Sequence, residues 1–155
     1  MVLGSEFFKQ KTLVVAKELI GCNLCRKFGG KKSKKTSKYL ITETEAYVGS
    51  HDLASHSSKG RTKRTEVMFG PPGTIYVYLV YGMHYMLNLV TEEIDHPSAV
   101  LIRGVESYPT PGLLTKGLQI GRELNGLKAS KQNGLWFESR RPDLRFKIIK
   151  ILILY

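Results

Sequence analysis

Two stretches of the chain concentrate the side chains able to do chemistry. Thr42–His56, TETEAYVGSHDLASH, holds Glu43, Glu45, Tyr47, His51 and His56, and Gly73–Asn88, GTIYVYLVYGMHYMLN, holds Tyr76, Tyr78, Tyr81 and Tyr85. Carboxylates two apart share one face of a strand, or straddle its end. Such a pair could hydrolyse a glycosidic bond as acid and nucleophile, and a single glutamate beside a water could serve as general base. Both could equally be surface charges answering the lysines of KKSKKTSK at 31–38. Tyr76 and Tyr78 fall on one strand face, and Tyr81 falls on the other or at the tip of a turn, next to Gly82. Strand tyrosines are usually core. Three of them with Tyr47 and His56, beside a basic loop, are also what base stacking requires. A tyrosine projecting from a tight turn could wedge into a duplex and fill the gap left by an extruded nucleotide. The two stretches together read as an aromatic cleft with an acid at its floor.

Charge points the same way. The 155 residues carry 24 Lys+Arg against 13 Asp+Glu, a formal charge of +11. Such a surplus favours a polyanion, because each neutralised phosphate releases counterions. No basic amphipathic helix argues for an acidic membrane, so nucleic acid is the expected partner. The loop 49–66, GSHDLASHSSKGRTKRTE, carries Arg61, Lys63 and Arg64, a composition suited to a phosphate backbone. No stretch has the order of a secretory signal or the length of a membrane span, so a cytoplasmic protein with no membrane partner is expected. Cys22 and Cys25 form a C-x-x-C, but their flanks read as strand, where positions three apart face opposite ways. No second ligand pair has metal spacing, and no metal is expected.

The elements that must position these residues follow in order. Residues 12–20 read as a helix with Thr12 as N-cap, closed by Gly21. Cys22–Phe28 and Tyr39–Thr44 read as strands joined by the lysine-rich hairpin. Residues 49–66 are polar and rich in Gly and Ser, the mark of a long functional loop. Ile75–Val80 and Met83–Val90 read as strands bent apart at Tyr81-Gly82. Ala99–Val105 is a strand interrupted by Arg103, and a buried-looking strand rarely carries an arginine without a partner. A short helix at Leu113–Ile120, a strand at Leu135–Phe137 and a final strand at Leu144–Tyr155 complete an α+β single domain, 1–155, built on a central antiparallel sheet with few helices at its edges.

ETEAY (Glu43–Tyr47), His56 and YVYLVYGMHYMLN (Tyr76–Asn88) closely resemble the alkyladenine (3-methyladenine) DNA glycosylases. Phe7-Phe8, VAKELIG (Val15–Gly21), MFGPPGTIYVY (Met68–Tyr78), IRGVE (Ile102–Glu106) and PGLLTKGLQI (Pro111–Ile120) extend the resemblance over most of residues 7–138. It implies a partly barrel-like curved sheet, similar to a formyltransferase C-terminal domain. It implies that Glu45 is the general base, activating a water against C1′ of a flipped deoxynucleotide, with Arg103 helping to hold that water. Tyr47, His56 and Tyr78 match the residues that stack on or hydrogen-bond the extruded base. Asn88 matches the asparagine that crowds the exocyclic amine of guanine, and Tyr81 the intercalating tyrosine. The implied enzyme is a monomeric, monofunctional hydrolase without cofactor, acting on double-stranded DNA that contains damaged purines. The chain departs from the family pattern in a segment shortened after Glu106, at Leu113 and Thr65, and in a shortened C-terminus.

The chemistry agrees with that resemblance independently. An N-alkylated purine is a cation with a weakened glycosidic bond, and electron-rich rings favour it by about 0.5–2 kcal/mol per contact. A lesion-binding module impaired in catalysis is the competing reading, with salt-dependent affinity and no turnover. A formyltransferase-like barrel is a third, for which no formyl-donor motif is present.

Overall fold

The computed structural model describes residues 1–29, 35–49, 60–140 and 150–153, the last through the backbone alone. The lysine-rich tip at 30–34, His51, His56 and most of the long loop lie outside the described residues. Seven strands, three short helices and two 3-10 turns make up the rest. Among the described residues no helix is long and apolar enough to cross a membrane.

Helix α1 (Ser5–Phe8) was not expected from sequence and seats Phe8 in the core. Helix α2 (Thr12–Leu19) forms where expected, burying Val15, Ala16 and Leu19 along one stripe. Its N-terminus differs from the expectation. Lys11 is the N-cap residue and makes no side-chain cap bond. Thr12 is instead buried in the first turn, where its backbone N–H and its hydroxyl both donate to Glu92 Oε1, at 3.1 and 2.7 Å. A carboxylate from a distant turn therefore satisfies the helix end that local sequence leaves open.

The strands are β1 (Asn23–Lys27), β2 (Thr36–Tyr47), β3 (Ile75–Val80), β4 (His84–Val90), β5 (Ala99–Val105), β6 (Leu135–Glu138) and β7 (Lys150–Ile153). Six of them pair in the order β3-β4-β5-β2-β1-β6, all antiparallel, in a curled half-barrel. The α+β single domain read from sequence is thus the observed fold class. β2 reaches three residues beyond the expected end at both sides, since 36–40 pair with β1 and 41–47 with β5. β7 is added to this antiparallel sheet off its main order: it runs parallel to β2 along 43–46, on the edge that β1 leaves open. The expected helix at 113–120 begins earlier, as α3 (Pro111–Gly117), because Thr110 is its N-cap and Pro111 its first residue.

Alternation divides the sheet into two faces. Ile75 and Val77, Leu87 and Leu89, Val100 and Ile102 point to the side covered by α2 and α3, in the main core. Tyr76, Tyr78, Val90 and Ala99 point to the other side, where Met68 and Phe69 of the 3-10 turn Glu66–Phe69 pack on them.

Candidate active site

Two irregularities in one strand pair decide what faces the second side. β2 pairs with β5 as Ile41–Val105, Glu43–Gly104 and Thr44–Ile102, so Thr42 is an extra residue in β2 and Arg103 an extra residue in β5. A strand alternates strictly, so without the shift Ile41 would share a face with Glu43 and Glu45. With it, Ile41, Thr44 and Ala46 all turn toward the helices; Ile41 and Ala46 join the main core and the Thr44 hydroxyl donates to Ala16 O at 2.9 Å. Glu43, Glu45 and Tyr47 are left on the tyrosine side. Bulges re-aim side chains, and this one puts Arg103 over the two glutamates. Gly104 permits it: a Cβ there would meet the Pro109 carbonyl oxygen at 3.2 Å.

Glu45 is 3% exposed. Its Oε1 accepts from the Tyr47 hydroxyl at 2.5 Å and its Oε2 from Arg103 Nη1 at 2.5 Å. A carboxylate offers about four lone-pair sites, so both bonds leave room for a water. Arg103 Nε reaches on to Glu43 Oε1 at 3.2 Å. Burial would lower the arginine's proton affinity, but Glu45 and Glu43 outweigh it and hold the guanidinium charged. Burial, reinforced by Glu45, pushes the Tyr47 hydroxyl well above its ordinary range, so it stays protonated and donates.

The tyrosine wall stands opposite. Tyr76 is buried, Tyr78 half-buried, and their rings lie 5.2 Å apart. Burial first, then Tyr76 and Glu45, push Tyr78 up to about 12, against a pull from Arg64 and Asn88. Asn88 pairs across from Tyr76 and its Nδ2 donates to Tyr76 O at 3.2 Å, which fixes the amide in the wall. Arg64 lays its guanidinium over the Tyr78 ring, 5.4 Å from the centroid.

The structure brings together Glu45, Arg103, Tyr47, Tyr78 and Asn88. Tyr81 stands apart at the tip of the β3–β4 hairpin, 91% exposed. It and Gly82 both have positive φ, 53° and 65°. Of the three basic residues named for phosphate contact, Lys63 is exposed, whereas Arg61 is bound to Glu66 at 2.8 Å and Asp95 at 3.1 Å and stacked on Phe69. Sequence reading did not single out the bridge from Arg103 to Glu43, nor Arg64 against the wall. The first depends on the bulge, which no sequence pattern marks; for the second, the nearby tyrosines were a usable signal.

The methylpurine-DNA glycosylase family matches this chain over residues 6–110. A Legionella pneumophila protein named "Putative 3-methyladenine DNA glycosylase" is 50% identical over 130 residues, covering 79% of this chain and 69% of its own length. Proteins of the same name from Ehrlichia chaffeensis and Rickettsia bellii are 47% and 45% identical, with 69% and 56% of their own lengths covered. The acid, arginine and tyrosines described above all lie inside the matched span. With half its residues shared with such relatives over most of its length, the chain belongs to the methylpurine-DNA glycosylase family.

Proposed function

We propose that this protein everts alkylated or deaminated purines, of the 3-methyladenine and hypoxanthine type, from duplex DNA and hydrolyses their N-glycosidic bond. The observation that carries the reading is Glu45, buried between Tyr47 and Arg103 and facing the wall of Tyr76, Tyr78 and Asn88.

Each residue then has a task set by its chemistry. Tyr81 enters the duplex and occupies the place of the everted nucleotide, for which an exposed, rigid aromatic at a hairpin tip is suited. The base is received beside Glu45 and stacks on Tyr78 and Tyr47, whose electron-rich faces favour a cationic purine. Asn88, held rigid by its bond to the Tyr76 carbonyl, crowds the exocyclic 2-amino group of guanine. Glu45 accepts a proton from water as the water oxygen bonds to C1′. The C1′–N bond breaks, and its electron pair leaves with the purine. An N-alkylated purine departs neutral and needs no acid, whereas hypoxanthine departs as an anion and takes its proton from solvent.

The test is base release from duplexes carrying 3-methyladenine or hypoxanthine, under single turnover. Glu45→Gln keeps shape and hydrogen bonding and loses the base. The release rate is expected to fall by about 10²–10⁴-fold, with duplex affinity retained. Wild-type protein that binds the lesion duplex and never releases base would leave the lesion-binding module as the answer.

A further inference from the structure

Arg103 is held at two points, and the role described for it above uses only one. Nη1 donates to Glu45 at 2.5 Å, while Nε donates to Glu43 at 3.2 Å. Glu43 is one-fifth exposed and Arg103 one-third exposed, so the contact is shielded without being sealed. Thr42, the extra residue of β2, directly precedes Glu43, and Arg103 is itself the extra residue of β5, which turns the two side chains to the same face.

We propose that Glu43 is a positioning residue for the reaction, acting through Arg103. It fixes the plane of the guanidinium and leaves the Glu43–Arg103–Glu45 cluster with a net charge of −1. The inference rests on the glycosylase reading above. A guanidinium is a rigid planar fork, so fixing Nε fixes where Nη1 points. Charge gives the second reason. Arg103 and Glu45 alone would form a neutral pair facing a sugar that becomes positive as the bond breaks. A second carboxylate on the same arginine leaves a negative charge to oppose the developing cation.

Among the described residues, the other charged and titratable groups turned toward the cluster do not supply this. Tyr47 is a neutral donor to Glu45, Tyr78 is neutral across the wall, and Arg64 adds positive charge over Tyr78. On the neighbouring strand Lys150 stands in backbone register with Glu43.

The experiment is single-turnover release of hypoxanthine from a duplex, across pH, for the wild type, Glu43→Gln, Glu43→Asp, Arg103→Gln and the double variant Glu43→Gln/Arg103→Gln. Thermal melts accompany each, so that loss of fold is separated from loss of rate. For Glu43→Gln we expect the rate to fall about tenfold. Duplex affinity should hold. Glu43→Asp keeps the charge and is expected to recover most of the rate. In the Arg103→Gln background the Glu43 substitution should have no further effect. An unchanged rate at every pH in Glu43→Gln overturns the proposal while the glycosylase reading stands. So does an equal loss with and without Arg103, or a loss confined to affinity. Wild-type protein that releases no base removes that reading, and the proposal with it.

Discussion

At the scale of single residues the informative side chains are those whose placement is unfavourable for the fold. Tyr81 is the clearest. It exposes 91% of its surface and holds a left-handed φ of 53°, which for a residue with a bulky side chain is strain of order 1–3 kcal/mol. Neither feature stabilises the folded chain. Asparagine tolerates that backbone region far better. Tyr81→Asn is therefore expected to melt at the same temperature as the wild type or higher, while release of base from duplex DNA drops. A melting temperature that falls together with activity would make Tyr81 a structural residue. Tyr47 differs, because its hydroxyl serves the acid directly. Tyr47→Phe removes the donor to Glu45 Oε1 and keeps the ring. Base release is expected to slow by about tenfold, the size of a hydrogen bond to a charged group, with the fold intact by circular dichroism.

At the scale of elements, the end of α2 shows how a local rule yields to tertiary structure. Glu92 is 6% exposed, sits at φ 62° and receives the backbone and hydroxyl of Thr12, with His96 Nε2 at 3.1 Å and Lys11 at 3.4 Å. Burial pushes its carboxyl up, but the Thr12 bonds, His96 and Lys11 outweigh that and hold it below its ordinary value of 4.5. A carboxyl depressed in the folded state lends stability that is whole above its unfolded value and is lost as pH falls through the folded one. Glu92→Gln should therefore flatten the acid side of the stability profile below about pH 4.5, as read by melts from pH 3 to 7, and lower stability at neutral pH by about 1–3 kcal/mol. A profile parallel to that of the wild type would remove the titration argument. The same contact explains what the sequence did and did not reveal. β3, β4 and β5 were legible because each is a run of six or seven residues dominated by β-branched, aromatic and aliphatic side chains. That Arg103 needs an acid was legible, because an arginine in an apolar strand requires one, whereas its link to Glu45 came only through the family resemblance. The cap on α2 was not, since its donor and acceptor are 80 residues apart. Nor was the direction of β7, which is set by the edge of β2 that other strands leave free. The role of Glu43 was hidden for a similar reason: strict alternation would have put it beside Ile41, and only the paired extra residues separate them.

At the scale of the whole molecule, the surplus of 11 positive charges acts as a field, but single cations within it differ in what they are free to do. Lys63 and Arg61 are two residues apart in a segment read from sequence as one phosphate-binding run. Lys63 is exposed and makes no ion pair among the described residues. Arg61 is spent on Glu66 and Asp95 and lies 4.8 Å over the Phe69 ring, which itself packs against the tyrosine wall. A lysine that meets a phosphate releases counterions, so losing it lowers the slope of log K against log salt by about 0.9 per contact on B-form DNA. An arginine already neutralised by two carboxylates contributes little to that slope, and its removal loosens the turn that backs the wall. Lys63→Gln is therefore expected to weaken binding to damaged and undamaged duplex alike and to reduce the salt slope by about one, leaving the melting temperature unchanged. Arg61→Gln is expected to leave the slope intact and to lower the melting temperature, and with it the discrimination between damaged and normal purine. Binding titrations between 50 and 200 mM salt, beside melts of both variants, decide between the two roles. If the two substitutions change the slope equally, the carboxylates give up Arg61 when DNA arrives, and the run acts as the single basic surface that its composition suggested.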